Sequence, residues 1–559
     1  MPVVVIAQHK EAIQLQQQIT DAVAKARPAC VRIWGYDTLL HQRNSAQFSG
    51  VVVKDSYILT AAHVVTPTNT YRVMFADGSD CIAVALGKIE LSEDKTRPDV
   101  ALMKIVTRGN WPFAEIGSSA SLQPHAACIS IAYPESLNLD KPTVRLGVVT
   151  DPLNDRGFIK SSCIMEPGDS GGPLFDIDGH VIGIHSAIEV SEKNNYDVPV
   201  DVYMKHWQAL LTATTYHALP PQNALTSAII PKLKTYAVLK PEDIAAFKTT
   251  NQIPAVVAIE SRANNKVRRI LGTVISLRGT PLEKTMGTSV IISKSSMVDD
   301  SVIVIFSPEK RVRAKVGFRD KTNDLVLLHP SSPINGGITF KQFDANIMAA
   351  MTPGAFLISP QVDTAAAVSI LGSADTELPK VSSAGFSGAT AAKSSKPAKI
   401  YFVRPGSPAA LAGIKTGDVV NQVGLTHIDS ATAYATAMST YWPGDTVSLH
   451  IKRENQELHF ALLLTYPPLT SSSHPAEHFA GGKSRRRDGF THVYTNDAVL
   501  KPEQCGGPVF NLKGEFCGTQ IARYSRANSL LLPAEVLRAF INTAYGNAKM
   551  ELQSNRQAK

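Results

Sequence analysis

The sequence predicts a mainly β protein in which one strand-rich fold occurs twice in tandem, the second copy interrupted by a small α+β module. Three observations carry that reading. Short segments rich in Val, Ile and Tyr (30–34, 50–53, 57–59, 71–75, 100–105 and 181–184) are separated by Gly, Asn, Asp and Pro turns, the pattern of a barrel or a sandwich. Five motifs from this stretch recur downstream in the same order. Between the fourth and fifth repeated motifs lies a segment with a Gly- and Pro-punctuated signature of its own, strongest over 399–465.

Along the chain, Ile13, Leu15, Ile19, Ala22, Val23 and Ala26 recur mostly at three- and four-residue steps, which predicts an amphipathic helix over 10–26, stopped by Pro28. The first copy then spans 29–215 and closes on a helical stretch, 200–211, that carries Trp207; residues 216–250, with several prolines and no strong period, read as a linker. In the repeat, ACVRI at 29–33 is echoed by AVVAI at 255–259, GVVV at 50–53 by GTVI at 272–275, and ILTAAHVV at 58–65 by IISKSSMV at 291–298. DVALM at 99–103 is matched by DLVLL at 324–328, and SGGPLF at 170–175 by CGGPVF at 505–510. The second copy therefore occupies 251–380 and 490–547, around a module at 381–467 and a Ser/Gly/Arg-rich flexible return at 468–489; residues 1–28 and 548–559 are left as N-terminal and C-terminal extensions.

Composition excludes several classes. With 559 residues the chain needs several cores, and 44% hydrophobic with 19% charged residues is the balance of a folded protein rather than a disordered one. No apolar run approaches the roughly 18 residues of a membrane-spanning helix. The net charge of +8 is spread out, apart from one cluster at Lys483, Arg485, Arg486 and Arg487 that reads as a solvated basic loop, so no nucleic-acid partner is expected. Six cysteines (Cys30, Cys81, Cys128, Cys163, Cys505, Cys517) are too few for a disulfide scaffold, and no Cys/His spacing suggests zinc, so neither metal nor cofactor is expected. Val5, Ile6 and Ala7 fit the end of a trimmed signal peptide or an ordinary chain start, and that choice stays open.

The chemistry lies in the first copy. Acyl transfer by a serine requires a base, a carboxylate that orients the base, and N–H donors aimed at the developing oxyanion. His63 ends ILTAAHVV, Asp99 heads an apolar strand, and Ser170 lies in EPGDSGGP at 166–173, whose glycines let backbone amides turn toward one point. TAAH, an Asp before alternating aliphatics, and GDSGGP in this order resemble the trypsin-like serine proteases, and among them the HtrA/Deg type. The resemblance covers the whole first copy and implies two chymotrypsin-like double β-barrel domains in tandem. It makes His63 the general base, Asp99 its orienting carboxylate, Ser170 the nucleophile, and the amides of Gly168 and Ser170 the oxyanion hole. It also places Ile164 at the floor of the primary specificity pocket, where an apolar residue favours cleavage after small or medium aliphatic side chains, and Gly183, Ile184, His185 and Ser186 on the strand that pairs with substrate. No zymogen cleavage motif precedes the domain.

The segment 399–465 closely resembles a PDZ domain of the protease-associated type, with Gly385, Phe386, Ser387 and Gly388 as its carboxylate-binding loop for peptide C-termini. In the second copy Ser296 stands where His63 does, and Asp324 and Cys505 fill the other two places, so a degenerate copy is expected, residual thiol chemistry with His492 as a recruited base being the alternative. The resemblance implies an endopeptidase of unfolded or misfolded polypeptides in protein quality control, extracytoplasmic, and either assembling as a homo-oligomer or using its duplicated barrel in place of a neighbour's contacts. The rivals are a non-catalytic peptide-binding scaffold and an esterase using the same three residues.

Overall fold

The computed structural model describes residues 2–91, 99–223, 255–263, 266–307, 309–468 and 473–557. It begins with α1 (Pro2–Ala26), which starts earlier than the periodicity predicts. Ala12, Ile19, Ala22, Val23 and Ala26 form its buried stripe, and a turn at Arg27–Ala29 with Pro28 inside it ends the helix where the expectation put the stop.

The first copy is a pair of barrels. β1 (Cys30–Asp37), β2 (Gln42–Val53), β3 (Tyr57–Thr60), β4 (Thr70–Phe75), β5 (Asp80–Ile89) and β6 (Val100–Ile105) run in the order β5-β4-β1-β2-β3-β6, and a β5–β6 pairing closes the ring. β4 shows why the sequence does this: Tyr71, Val73 and Phe75 are buried while Thr70, Arg72 and Met74 are half-buried, the period of two that a barrel wall requires. β7 (Ala127–Ala132), β8 (Thr143–Asp151), β9 (Ile159–Ser161), β10 (Pro173–Phe175), β11 (Val181–Ile188) and β12 (Asn195–Pro199) form a second closed barrel. The predicted closing helix is two short helices, Val200–Lys205 and Trp207–Leu210. β13 (Thr215–Tyr216) then pairs parallel with β5, so the segment expected as linker opens on a strand; from 224 to 250 it lies outside the described residues.

The second copy repeats this order. β14 (Val256–Ala263), β15 (Lys266–Ser276), β16 (Ser289–Lys294), β17 (Ser301–Ile305), β18 (Arg311–Asp320) and β19 (Leu325–Pro330) form a ring closed by β14–β15, with β20 (Ile338–Thr339) alongside β15. β21 (Phe356–Ser359), β22 (Ala367–Ile370) and β23 (Thr376–Leu378) begin its second barrel. The inserted module follows, a sheet of β24 (Ala389–Ala391), β25 (Ala398–Val403), β26 (Val419–Val423), β27 (Thr426–His427), β28 (Thr446–Arg453) and β29 (Gln456–Leu463), with helices Pro408–Ala412 and Ala431–Ser439. β30 (Phe490–Asn496), β31 (Pro508–Phe510), β32 (Phe516–Arg523) and β33 (Ser529–Pro533) complete the barrel. The strand equivalent to β8 is split into β22 and β23, with Leu371 between them bridging Asn496. The module thus replaces the short turn that joins β8 to β9 in the first copy.

Two expectations are corrected. The segment 473–489 is packed rather than a flexible return: Ser484, Arg486 and Asp488 are buried, and the Arg486 guanidinium lies 4.0 Å from the Trp442 ring and 4.4 Å from Phe490. The Asp488 carboxylate accepts the N–H groups of Ser382 and Ser383, so residues that compose a low-complexity stretch are there to bond turns, and the basic cluster is only partly solvated. The segment 548–559, expected as a C-terminal tail, is helical to Gln557, because the helix Ala534–Gln557 continues through most of it.

The copies dock through shared core and backbone. Ile19 and Val23 of α1 belong to the same apolar cluster as Ile129 and Val181 of the first copy and Phe356, Ile358, Ile370 and Leu512 of the second. Each fully buried aliphatic of this kind contributes roughly 1.5–3 kcal/mol. On β8, the Val144 N–H donates to the Gly372 carbonyl (3.0 Å) and the Leu146 N–H to the Asp497 carboxylate (2.9 Å), which also accepts Ile370 N–H (2.7 Å).

The repeat extends to the turn that opens the fifth motif. Ser49 N–H donates to the Ser170 carbonyl (2.9 Å) as Leu271 N–H does to that of Cys505 (3.1 Å), and Gly171 and Gly506 follow with φ of 81° and 88°. A Cβ on Gly506 would stand 2.1 Å from the Leu271 carbonyl oxygen, on backbone that cannot yield cheaply. Gly506→Ala is therefore expected to cost on the order of 3 kcal/mol, read as a lowered thermal unfolding midpoint; an unchanged midpoint contradicts the turn's structural role.

Candidate active site

Antiparallel pairing of β3 with β6, with Thr60 opposite Ala101, carries Asp99 to the turn Ala62–Val64 that follows β3 and holds His63. His63 N–H donates to Asp99 Oδ1 at 2.9 Å, the ring Nδ1 lies 2.5 Å from Oδ2, and Nε2 lies 3.0 Å from Ser170 Oγ. Ser186 Oγ also donates to Asp99 Oδ2 (2.9 Å), so the carboxylate is held from two strands. Its side chain is 16% exposed and that of His63 is 44% exposed, open to solvent on the side of Ser170. Burial opposes a charged imidazole, but the hydrogen bond and charge of Asp99 outweigh it and hold the His63 pKa above its ordinary 6.5. Burial likewise pushes the Asp99 carboxyl up, and its bonds from His63 and Ser186 more than reverse this, so it stays below the ordinary carboxylate value.

The loop before Ser170 is fixed from beneath. Arg145 of β8 makes a bidentate pair with Asp169, Nη1 to Oδ2 at 2.5 Å and Nη2 to Oδ1 at 3.2 Å, with both side chains almost fully buried. Asp169 Oδ2 also accepts Glu166 N–H (2.9 Å), and Asp169 N–H closes back on the Glu166 carbonyl (3.1 Å). Gly171 N–H goes to the His185 carbonyl and Gly172 N–H to that of Asp169, both at 2.8 Å. Among the described residues, the amides of Gly168 and Ser170 have no such acceptor. Gly168 adopts φ 95°, and a Cβ there would stand 2.4 Å from Glu135 N, so the turn that frees these two amides requires glycine.

A cavity of about 210 Å³ opens beside Ser170 and His63, lined also by Met165, Glu166, Pro167, Asp169, His185, Ser186, Ala187, Ile188, His474 and Pro475. Three sequence expectations change here. Ile164 is half-buried and does not line the cavity; Met165 does, because its N–H is fixed on Asn195 Oδ1 (3.1 Å) and successive side chains of an extended segment point to opposite sides. Gly183 and Ile184 are buried inside the barrel, paired with β10 and β12, leaving His185 and Ser186 at the cavity's edge. The His185 ring is itself fully buried between Asp197 Oδ1 (2.5 Å) and Ser130 Oγ (2.7 Å), a support beneath the loop rather than a substrate contact. No local motif marks His474 and Pro475, on the return from the inserted module, as residues of this cavity; only folding across about three hundred residues brings them there.

The corresponding place in the second copy is filled. Ser296 N–H and Oγ donate to Asp324 Oδ1 (2.7 Å) and Oδ2 (2.8 Å), and buried Lys294 reaches the same Oδ2 (2.5 Å) and the Arg486 carbonyl (2.7 Å). Cys505 is fully buried, and burial pushes its thiol up to about 11. The alternative base, His492, is bonded to Asp375 Oδ2 (3.0 Å) and largely exposed, while Cys505 Sγ approaches the Lys501 carbonyl (3.8 Å).

In the module, the loop at 385–388 is partly engaged. Gly385 N–H donates to the Tyr441 carbonyl (3.0 Å) and Phe386 N–H to that of Thr465 (2.8 Å). Arg404 N–H takes the Gly388 carbonyl, so the alternation of β24 turns Ala389 toward its outer edge, and there Tyr434 Oη donates to the Ala389 carbonyl (3.3 Å). The first acceptor on the edge where an added peptide strand would pair, next to the loop of Gly385, Phe386, Ser387 and Gly388, is thus bonded to Tyr434. Among the described residues one potential metal-ligand group occurs, Asp176, Asp178 and His180 between β10 and β11; Asp176 Oδ1 there accepts the N–H groups of the other two, an Asx turn outside the Ser170 cavity. No described helix is long and apolar enough to cross a membrane.

Comparison with known proteins agrees with this arrangement. Residues 48–184 match the trypsin-like peptidase domain and residues 385–464 the PDZ domain. Serine protease HTRA1 of Xenopus tropicalis is 32% identical over 201 residues, 34% of this chain and 42% of that protein. The putative serine protease HhoB of Synechocystis is 30% identical over 232 residues (39% and 50%), and a probable periplasmic serine endoprotease DegP-like of Chlamydia muridarum 34% identical over 163 (28% and 31%). The chain thus spans between about a third and a half of the length of these relatives. The chain carries a trypsin-like peptidase domain and a PDZ domain and is similar to serine proteases of the HtrA/Deg type.

Proposed function

We propose that the chain is a serine endopeptidase that hydrolyses unfolded or misfolded polypeptides through an acyl-enzyme on Ser170. The observation that carries this is the single line of hydrogen bonds from Asp99 through His63 to Ser170 Oγ. His63 Nε2 takes the Ser170 proton as Oγ attacks the scissile carbonyl, Asp99 stabilises the imidazolium, and the Gly168 and Ser170 amides receive the oxyanion. His63 then protonates the leaving amine, and water releases the acyl group by the reverse relay. Met165, Ala187 and Ile188 give the cavity apolar walls, and Glu166 is engaged by Ser136 Oγ (2.7 Å) and Asn528 Nδ2 (3.0 Å) rather than available to a cationic side chain, which supports cleavage after small or medium aliphatic residues.

The second copy is, on this reading, a degenerate protease fold: it retains the strands and the Asp but replaces the base with Ser296, Lys294 occupies the carboxylate, and its thiol stays protonated at neutral pH. Several relatives are named periplasmic, and an extracytoplasmic site of action is proposed by that likeness.

A fluorophosphonate probe should label the parent at Ser170 and not Ser170→Ala, and that variant should lose casein digestion by on the order of 10⁶-fold; equal digestion by both refutes the assignment. Cys505→Ala should leave peptidase activity unchanged in the same assay, and a large loss would assign chemistry to the second copy. The base works only when neutral and its pKa is raised, so kcat/KM should fall with acidification through a midpoint above 6.5. Asp99→Asn should move that midpoint down and cost on the order of 10⁴-fold in kcat, seen in a pH–rate profile.

A further inference from the structure

We propose that the second copy completes the substrate cavity of the first, with Arg526 as the positioning residue that joins them; the proposal rests on Ser170 being the nucleophile. The turn between β32 and β33 reaches across to the loops around Ser170. Arg526, fully buried, donates from Nη1 to the carbonyls of Glu189 (2.7 Å), Val190 (3.4 Å) and Pro475 (3.2 Å) and from Nη2 to that of Ser191 (2.8 Å). One planar guanidinium therefore ties the segment that follows Ile188 to the segment that follows His474. These are two walls of the cavity: Ala187 and Ile188 from the first copy, His474 and Pro475 from the return of the inserted module. Four carbonyls converging on a buried fork are a geometry that an ammonium on a flexible stem cannot satisfy at once.

The rest of the turn supports the same loops. Arg523 Nη2 pairs with Glu192 Oε1 (3.1 Å), whose other oxygen accepts Ala480 N–H (3.4 Å). Asn528 Nδ2 donates to Glu166 Oε1, and Tyr524 Oη donates to the Ser136 carbonyl (2.6 Å). The Ser136 loop in turn carries Glu135, whose N–H holds the Pro167 carbonyl (2.7 Å) immediately before Gly168, while Leu137 is buried in the apolar cluster of the second copy. The loop at 135–137, the segment at Glu166 and the segment 189–192 thus each have a bond or a side chain anchored in the other half of the chain. A copy that has lost its own base keeps a defined task, setting the width and apolar character of the neighbouring site.

The test uses the full chain. Arg526→Met, Arg526→Lys and His474→Ala are compared with the parent for KM and kcat on peptides that differ only in the residue before the cut, alongside thermal unfolding and fluorophosphonate labelling. Arg526→Met should lose about 10²-fold in kcat/KM, mostly through KM, as expected when a binding surface shifts by about an ångström. Arg526→Lys should recover part of this, and His474→Ala should shift preference toward larger side chains. Parental KM and preference in a folded, labelled Arg526→Met overturn the proposal; if that variant does not fold, parental preference in His474→Ala overturns it. Absence of labelling in the parent would instead remove the assignment of Ser170 on which the proposal rests.

Discussion

The ion pair of Arg145 with Asp169 is the interaction on which the site depends. Two charges buried together cost several kcal/mol each in lost hydration, which only close bidentate geometry and further hydrogen bonds offset. Asp169 has both: it accepts two guanidinium bonds and the Glu166 N–H, and so fixes the three residues that precede Ser170. The loop then has one shape, in which Gly168 and Ser170 present free amides and neighbouring amides are engaged. The cation comes from a strand of the same barrel, so assembly of the loop requires folding and not cleavage of the chain.

That strand is in turn backed by the second copy. The edge of β8 on either side of Arg145 is taken up by the Gly372 carbonyl and the Asp497 carboxylate, and α1 lies in an apolar cluster drawn from both copies. Burial pushes the Asp497 carboxyl up to about 6, the mark of a group held for its two amide contacts rather than for its charge. The two copies therefore do not behave as beads on a string. In the second, a buried Lys294–Asp324 pair and an apolar strand pattern fill the barrel, while its outer turn at Arg526 and Asn528 bonds loops of the first.

Sequence pattern and structure agree most where the signal is local. The alternation in β4, the helical stripe of α1, and the shared order of His63, Asp99 and Ser170 with Ser296, Asp324 and Cys505 are each legible within a few residues. What was missed depends on long-range geometry. Whether Ile164 or Met165 faces the cavity is a matter of one residue of register, decided by Asn195 on a distant strand. The resemblance sets His185 on the strand that pairs with substrate, but Asp197 and Ser130 turn its ring inward. The stretch 473–489 has the composition of a loose loop, yet Trp442 and Phe490 give Arg486 a surface to lie on, and its small polar residues bond turns. Arg526 has no local motif at all; its four carbonyl partners come together only in the folded chain.

The most direct test of this account is the rate at which a fluorophosphonate modifies Ser170 in Arg145→Met, compared with the parent at temperatures where melting shows both to be folded. The reaction reports the nucleophile and its two amides without requiring a bound peptide. The account predicts a loss of about 10²–10³-fold, the usual cost of disabling an oxyanion hole, with the fold retained. Modification at the parental rate in a folded Arg145→Met protein would contradict it.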